Sequence, residues 1–291
     1  MRVWACGVRG STPAPGADFT RYGGHTSCLA LGHDNALPSL LLDAGTGIRR
    51  VTSLLGGAAF RGTILLGHLH WDHTQGLPFF TAADHPGADV ILALPAQGDP
   101  VDVLSRAMSP PHFPVDPLGL RGRWRFEGLE PGRHHLEGFD VLALDIPHKG
   151  GRTFGFRVSD GAGSIAYLSD HNPVSQGPGP KGLGPYHEEA LALVDGVDLL
   201  VHDAQHTAAE LPARAAFGHS AAEYAVGLGE AAGASAVWLY HHDPSRTDDQ
   251  IDALVSSLRH SRLEVSAAAE GMTVDLGRPV NSLDGCTIEA G

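Results

Sequence analysis

The chain has 291 residues, and its 33 Asp and Glu against 20 Lys and Arg give a formal net charge of −13, which argues against a large nucleic-acid footprint. No apolar run is long enough to span a membrane, and no basic segment followed by a hydrophobic one opens the chain, so neither a transmembrane helix nor a signal peptide is expected. Three scattered cysteines, Cys6, Cys28 and Cys286, form no Cys-x-x-Cys and suit a reducing cytoplasm, while the 18 histidines exceed what ordinary packing explains.

In chain order, residues 1–7 read as an edge strand, 26–31 with 39–42 as a hairpin, and 45–55 as a short helix. An apolar strand at 63–66 stops at Gly67, and 90–94 is a further strand. Residues 97–118 hold a helix followed by a loop, because the prolines between Met108 and Val115 forbid regular structure. Strands recur at 123–126, 139–145, 153–159 and 164–168. A Pro/Gly linker at 177–184 is too short to separate domains. Helices at 187–193, 220–232 and 248–259 then alternate with strands at 199–202 and 237–240. No break in composition divides the chain, so one α/β domain over residues 1–291 is expected.

The most informative segment follows the strand at 63–66. His68, Leu69, His70, Trp71, Asp72 and His73 place three imidazoles and a carboxylate where a sheet's C-terminal edge would present them. His68 and His70 are two apart and can face one point; Asp72 and His73 can face a second. Imidazole and carboxylate suit Zn²⁺, and also Mn²⁺ or Fe²⁺. Two such ions about 3.5–4 Å apart form a clamp for hydrolytic displacement at phosphorus or carbonyl carbon. Further donors stand at other strand ends: His148 after Pro147, Asp170 at the tip of the strand from 164, and His241 or its neighbour His242 after 237–240.

His68-x-His70-x-Asp72-His73 resembles the signature of the metallo-β-lactamase superfamily, and the likeness runs from the first strand to about residue 255. Within it the chain is most similar to the phosphodiesterase branch, which includes ribonuclease Z and the cyclic-phosphate phosphodiesterases of phosphonate breakdown. The resemblance implies an αββα sandwich, two mixed β-sheets flanked by helices and built from two similar halves. It implies two divalent ions, foremost Zn²⁺, with a water or hydroxide between them. His68, His70, His148 and Asp170 would hold one ion; Asp72, His73, the bridging Asp170 and His241 would hold the other.

The leaving alkoxide of a phosphodiester also needs a proton donor. The strand ending in His202-Asp203 and the segment Phe217-Gly218-His219-Ser220 resemble the His-Glu-Ala-Thr and His-Ser-Thr elements of ribonuclease Z, with Asp in place of Glu and Gln205 beside it. By that resemblance His219 donates the proton and Asp203 orients it, so Asp72, Asp203 and His219 form the catalytic set. The alternative is that His219 merely leads into a helix beside a Ser220 cap. Arg9, in a glycine-rich opening that carries His25 where such proteins usually have Asn, either meets a phosphate through its forked donors or is solvated beside tight turns. Asp43 and its neighbours up to Gly47 are expected to support the ligating histidines by hydrogen bonds. The loop at His112 and Phe113 is either a wall of the substrate pocket, with Phe113 stacking on a base, or a homodimer contact.

The expected function is hydrolysis of a cyclic nucleotide or another small anionic phosphodiester through a metal-bridging hydroxide, with no membrane partner. A tRNA 3′-processing endoribonuclease would need a protruding basic arm, and 177–184 offers a single lysine. A lactone, thioester or amide hydrolase is the other alternative. A non-catalytic binding protein is disfavoured, because all seven ligand positions are filled.

Overall fold

In the computed structural model, which describes residues 1–277 and so leaves Cys286 outside, the apolar runs of the sequence become strands of two stacked sheets. The first half supplies β1 (Arg2–Gly7), β2 (Cys28–Gly32), β3 (Leu40–Leu42), β4 (Arg61–Leu65), β5 (Asp89–Pro95) and β6 (Arg123–Leu129). The second supplies β7 (Gly132–Leu136), β8 (Phe139–Asp145), β9 (Phe154–Ser159), β10 (Ser164–Leu168), β11 (Leu199–Asp203), β12 (Ala236–Tyr240) and β13 (Glu264–Ala267). A last strand, β14 (Thr273–Asp275), returns to pair with β1.

Among the described residues each sheet has seven strands, ordered β14-β1-β2-β3-β4-β5-β6 and β13-β12-β11-β10-β9-β8-β7. Both are mixed in the same way. Pairings from β14 to β3 are antiparallel and from β3 to β6 parallel; those from β7 to β10 are antiparallel and from β10 to β13 parallel. The parallel strands β4 and β11 are buried almost throughout, as strands covered on both faces must be.

Three apolar layers hold the sandwich. Between the sheets, Leu29, Leu40 and Leu42 meet Phe154, Phe156 and Tyr240. Outside the first sheet, helix α1 (Ile48–Leu54) buries Ile48 and Val51. The one-turn helix α2 (Trp71–Thr74) and α3 (Pro100–Ser105), capped by Asp99, follow β4 and β5. Outside the second sheet, α4 (Glu188–Val194), α6 (Ala222–Ala232) and α7 (Asp248–Ser257) bury Leu193, Leu228 and Ile251, with the short α5 (Leu211–Arg214) beside them. Each such fully buried Leu, Ile or Phe contributes about 1.5–3 kcal/mol. A Thr247–Gln250 capping box starts α7, and left-handed Gly233 ends α6. No helix among the described residues is long and apolar enough to cross a membrane.

Two differences from the sequence reading have one cause. Residues 1–7 are not an edge strand, because β14 pairs outside them. The strands that the apolar pattern did not reveal, β7, β13 and β14, are all sheet edges. Edge strands are short and polar by necessity, since apolar edges invite aggregation, so their pattern is weak. The helix expected at 45–55 begins only at Ile48, and residues 43–47 form a loop instead.

One end of the sandwich, where strands of both sheets stop, collects the chemistry. Strands β3, β4, β8, β10, β11 and β12 all end there, just before or at Asp43, His68, His148, Asp170, Asp203 and His241. The turn after β1 is pressed against this end. A β-carbon on Gly7 would lie 1.9 Å from the Thr26 carbonyl oxygen and 2.9 Å from the Gly47 Cα, and the Tyr240 hydroxyl donates to the Gly7 carbonyl at 2.5 Å. Gly7→Ala should therefore lower the unfolding free energy by about 1–3 kcal/mol. The measurement is the urea midpoint at constant m, and an unshifted midpoint would show that the turn yields freely.

Candidate metal centre

Seven side chains expected to ligate converge in two sets. His68, His70, His148 and Asp170 form one and Asp72, His73, Asp170 and His241 the other, with the facing atoms of each set within 4.8 Å of one another. Asp170 belongs to both. Its Oδ1 lies 3.6 Å from His148 Nε2 and 3.8 Å from His68 Nε2, while its Oδ2 lies 2.9 Å from His73 Nε2 and 3.2 Å from His241 Nε2. His148 Nε2 and His70 Nδ1 are 3.4 Å apart. A tetrahedral ion with bonds of about 2.0–2.1 Å keeps its ligand atoms about 3.4 Å apart, so the first set has the spacing of such a shell.

Backbone geometry explains why neighbours in sequence part company. His241 sits just after β12 with a left-handed φ of 57°, which sends its ring into the cluster. The adjacent His242 turns away, and its Nε2 bonds the Ala268 carbonyl at 2.9 Å. Gly10 leaves room for the His241 ring, since a β-carbon there would lie 2.4 Å from Nδ1. Asp43 and Ser11 are also left-handed, at 64° and 62°.

Hydrogen bonds behind the cluster set which nitrogen faces inward. Asp43 Oδ2 accepts from His73 Nδ1 and from the Tyr167 hydroxyl, both at 2.7 Å, and Oδ1 accepts from the Gly67 N–H at 2.7 Å. With the proton fixed on Nδ1, His73 Nε2 presents a lone pair to the cluster. His148 Nδ1 likewise donates to the Gly218 carbonyl at 2.7 Å, freeing Nε2. The support expected from residue 43 is thus present.

The electrostatics demand positive charge. Asp43, Asp72, Asp170 and Asp203 are all buried, and among the described residues their ion-pair partners are histidines alone. Both oxygens of Asp170 are buried without a hydrogen bond; His73 Nε2 comes near Oδ2 but not along the line of a ring N–H. An isolated buried carboxylate is costly unless a cation meets it. Burial opposes the Asp170 charge, yet His241, His73 and His68 hold its carboxyl well below the usual range. Burial also opposes protonation of His73, but Asp72, Asp170 and Asp43 outweigh it and push that imidazole well above its ordinary value. His68, His70 and His148 go the other way, lowered first by burial, and so keep neutral lone pairs. Two divalent ions fit this donor set: they would meet the orphaned Asp170 oxygens and replace the proton that His73 otherwise carries.

Beside the cluster, His219 Nδ1 donates to Asp203 Oδ2 at 3.0 Å and lies 3.7 Å from Asp170 Oδ1. Burial opposes its charge, but Asp203 prevails and raises the His219 pKa to about 9. Asp203 is pinned by the backbone N–H groups of His171 at 3.1 Å and Gln205 at 3.0 Å. Asp203, His219 and His241 form a third convergent set, but the bond between the first two already satisfies their facing atoms. Ser220 caps nothing: α6 starts after Ala221 without a side-chain cap, so the capping alternative for this segment falls away.

Some contributors escaped the sequence reading. The Ser11 N–H donates to Asp72 Oδ2 at 2.7 Å, and Gln205 Nε2 donates to the Ser11 hydroxyl at 3.2 Å. Behind Asp203, His202, His171 and His187 make a file with spacings of 2.9 and 2.7 Å that ends on Glu189 at 3.0 Å. Only the count of histidines hinted at it. Arg9 fits neither of its expected roles. It is fully buried, bonding the carbonyls of Gly23 and Arg246 at 2.7 Å and Asp248 at 3.4 Å, so it ties loops together and meets no solvent or substrate. His25 stays outside both sets, its ring against the Thr46 hydroxyl.

A family model described as a beta-lactamase superfamily domain matches residues 39–242, more than half of the chain. No curated protein matches. Among solved structures, the metallo-beta-lactamase fold protein YhfI from Bacillus subtilis superposes with a TM-score of 0.68 at 18% identity, covering 94% of this chain and 98% of that one. The short form of human tRNase Z gives 0.66 at 21% identity, covering 95% and 99%. A diphosphatase from the PhnP family gives 0.68 at 17% identity, covering 94% and 97%. At such identities these likenesses establish the fold.

The role of Asp43 is open to direct measurement. Asp43→Asn keeps the shape but no longer demands the proton on His73 Nδ1, so divalent-ion affinity should fall about 10–100-fold. Competition with a chromogenic chelator reads this, and an unchanged affinity would show that the tautomer is set elsewhere.

Proposed function

The chain belongs to the metallo-β-lactamase superfamily, and on that premise we propose that it is a dinuclear metal-dependent phosphodiesterase for a cyclic nucleotide or another small phosphodiester. The carrying observation is the buried His219–Asp203 pair next to the two ligand sets. Attack at phosphorus expels an alkoxide, which must be protonated as it leaves. His219 meets that need, because Asp203 keeps its imidazole charged at neutral pH. His219 also lines a cleft of about 410 Å³ with Ser11, His70, Asp72 and Asp170, so its proton is within reach of a bound substrate. Divalent ions in the two sets would supply Lewis-acid polarisation and a water acidic enough to attack near neutral pH. The Ser11 N–H keeps Asp72 aimed at the second set, and Asp43 and the Gly218 carbonyl keep His73 and His148 in the ligating tautomer.

The imidazole and carboxylate donors favour Zn²⁺, with Mn²⁺ or Fe²⁺ next. Among the structural relatives, a diphosphatase and a tRNase Z support chemistry at phosphorus. The tRNA-processing alternative is weaker, because residues 177–184 carry only Lys181 as a basic group and the chain is acidic overall. Buried free thiols at Cys6 and Cys28 support a cytoplasmic site of action.

Elemental analysis should find two divalent ions per chain, and the loaded protein should turn over bis-(p-nitrophenyl) phosphate or cyclic nucleotides. Site-specific cleavage of precursor tRNA with little activity on small diesters, or lactone hydrolysis alone, would overturn the proposal. His219→Ala should lower kcat by about 10²–10⁴ for an alkoxide leaving group and by much less for p-nitrophenolate, which scarcely needs a proton. Equal losses on both, at full metal content, would remove His219 as the donor. The pH profile gives an independent check. A donor with a raised pKa acts below it and fails above it, so Asp203→Asn should move the alkaline limb to lower pH, towards the ordinary imidazole value of 6.5. A limb that stays in place would assign it to another group.

A further inference from the structure

A second cavity, about 510 Å³ in volume, adjoins the metal cleft and shares Leu69 and Trp71 with it. Its size falls within the about 300–1,000 Å³ of small-ligand pockets. The two shared residues alternate with His68, His70 and Asp72 in the metal motif, so the segment that aims donors at the ions also builds the cavity wall. Trp71 is 74% exposed and Phe79 55%, unusual for large apolar rings in a chain that buries most others. Across from them stands the proline-rich loop. The His112 and Phe113 N–H groups both bond the Ser109 carbonyl at 2.9 Å, and that turn brings Phe113 edge-on to Phe79 with centroids 5.9 Å apart at 83°. Arg106 and His112, with Thr74 and Gln75, add polar groups to a lining that is mostly apolar.

Resting on the phosphodiester reading, we infer that this cavity receives a planar aromatic group attached to the phosphate, an aryl ring or a nucleobase. Trp71 stands between His70 and Asp72 in the chain and lines both cavities, so a phosphate held at the metal centre would have the aromatic walls within reach of a ring joined to it by a few bonds. Water alone cannot match those faces, whereas a flat ring covers them and leaves its edge atoms to Arg106 and His112. Continuity with the cleft selects a substituent of the substrate over a separate partner. The loop at His112 and Phe113 is then a pocket wall.

The test is a fluorescence titration of the metal-loaded protein that needs no turnover. It compares 1-naphthyl phosphate with methyl phosphate, and adenosine 5′-monophosphate with ribose 5-phosphate. The aromatic member of each pair should bind on the order of tenfold more tightly or better, with quenching of tryptophan emission. Phe79→Ala and Phe113→Ala should each shrink that ratio several-fold; Phe79 is exposed enough to be truncated without unfolding the chain. The relative gain of naphthyl over nucleotide tells an aryl group from a base. Ratios near one, or ratios that survive both truncations, overturn the inference. Failure of the phosphodiester reading looks different: diester turnover is absent while the aromatic preference persists.

Discussion

Four carboxylates buried at one end of the sandwich, with histidines as their ion-pair partners, are the constraint around which the rest is arranged. They are not equivalent. Asp43 accepts hydrogen bonds on both oxygens and is content as it stands. Asp203 is likewise satisfied by two backbone N–H groups and His219. Asp170 is left with both oxygens bare between two groups of imidazoles. Asp72 lies between these cases, with one oxygen taking the Ser11 N–H. Solvation therefore sorts Asp43 as a support, Asp203 as an orienting partner, and Asp170 and Asp72 as fully and partly open donors, without any appeal to their order in the chain.

The sandwich is what lets so few residues make such a site. Four candidate ligands come from the hexapeptide after β4 in the first sheet; His148, Asp170 and His241 come from strand ends of the second. Neither sheet could assemble either set alone, because Asp170 and His241 complete what His73 and Asp72 begin. Packing between the sheets, through Leu40, Leu42, Phe154 and Tyr240, thus fixes ligand spacing as well as stability. Strand β14 extends that linkage by joining the end of the described chain to β1, next to the turn that carries Gly10 and Ser11.

How much was readable depended on whether a residue acts through its own local pattern. The hexapeptide, Asp170 and His148 announce themselves, since an apolar strand running into a donor is a local signal. The same signal left His241 and His242 open, and only the resemblance chose between them. Asp203 and His219 were readable only through resemblance to a two-part element, because nothing local pairs residues that far apart. Ser11, Tyr167 and the Gly218 carbonyl were silent: their roles arise from a backbone N–H, a buried hydroxyl and a carbonyl, which any residue type or many could supply. Arg9 misled, as a lone arginine among glycines looks like an anion clamp until its carbonyl partners from residues 23 and 246 are in place. The edge strands β7, β13 and β14 were missed for the opposite reason, their short polar stretches looking unlike strands, whereas the edge strand β6 was legible at 123–126.

Ser11, Asp43 and His241 share left-handed backbone, a conformation that costs a side-chain-bearing residue on the order of 1 kcal/mol. All three stand at the centre, and glycine would relax each of them. At Asp43 and His241 fold and chemistry therefore pull in opposite directions: the glycine that would loosen the backbone would also remove the carboxylate that bonds His73 or an imidazole of the second donor set. At Ser11, by contrast, the N–H that meets Asp72 would remain. The strain at Asp43 and His241 is thus stored in the main chain on behalf of the donor set, whatever substrate that set serves.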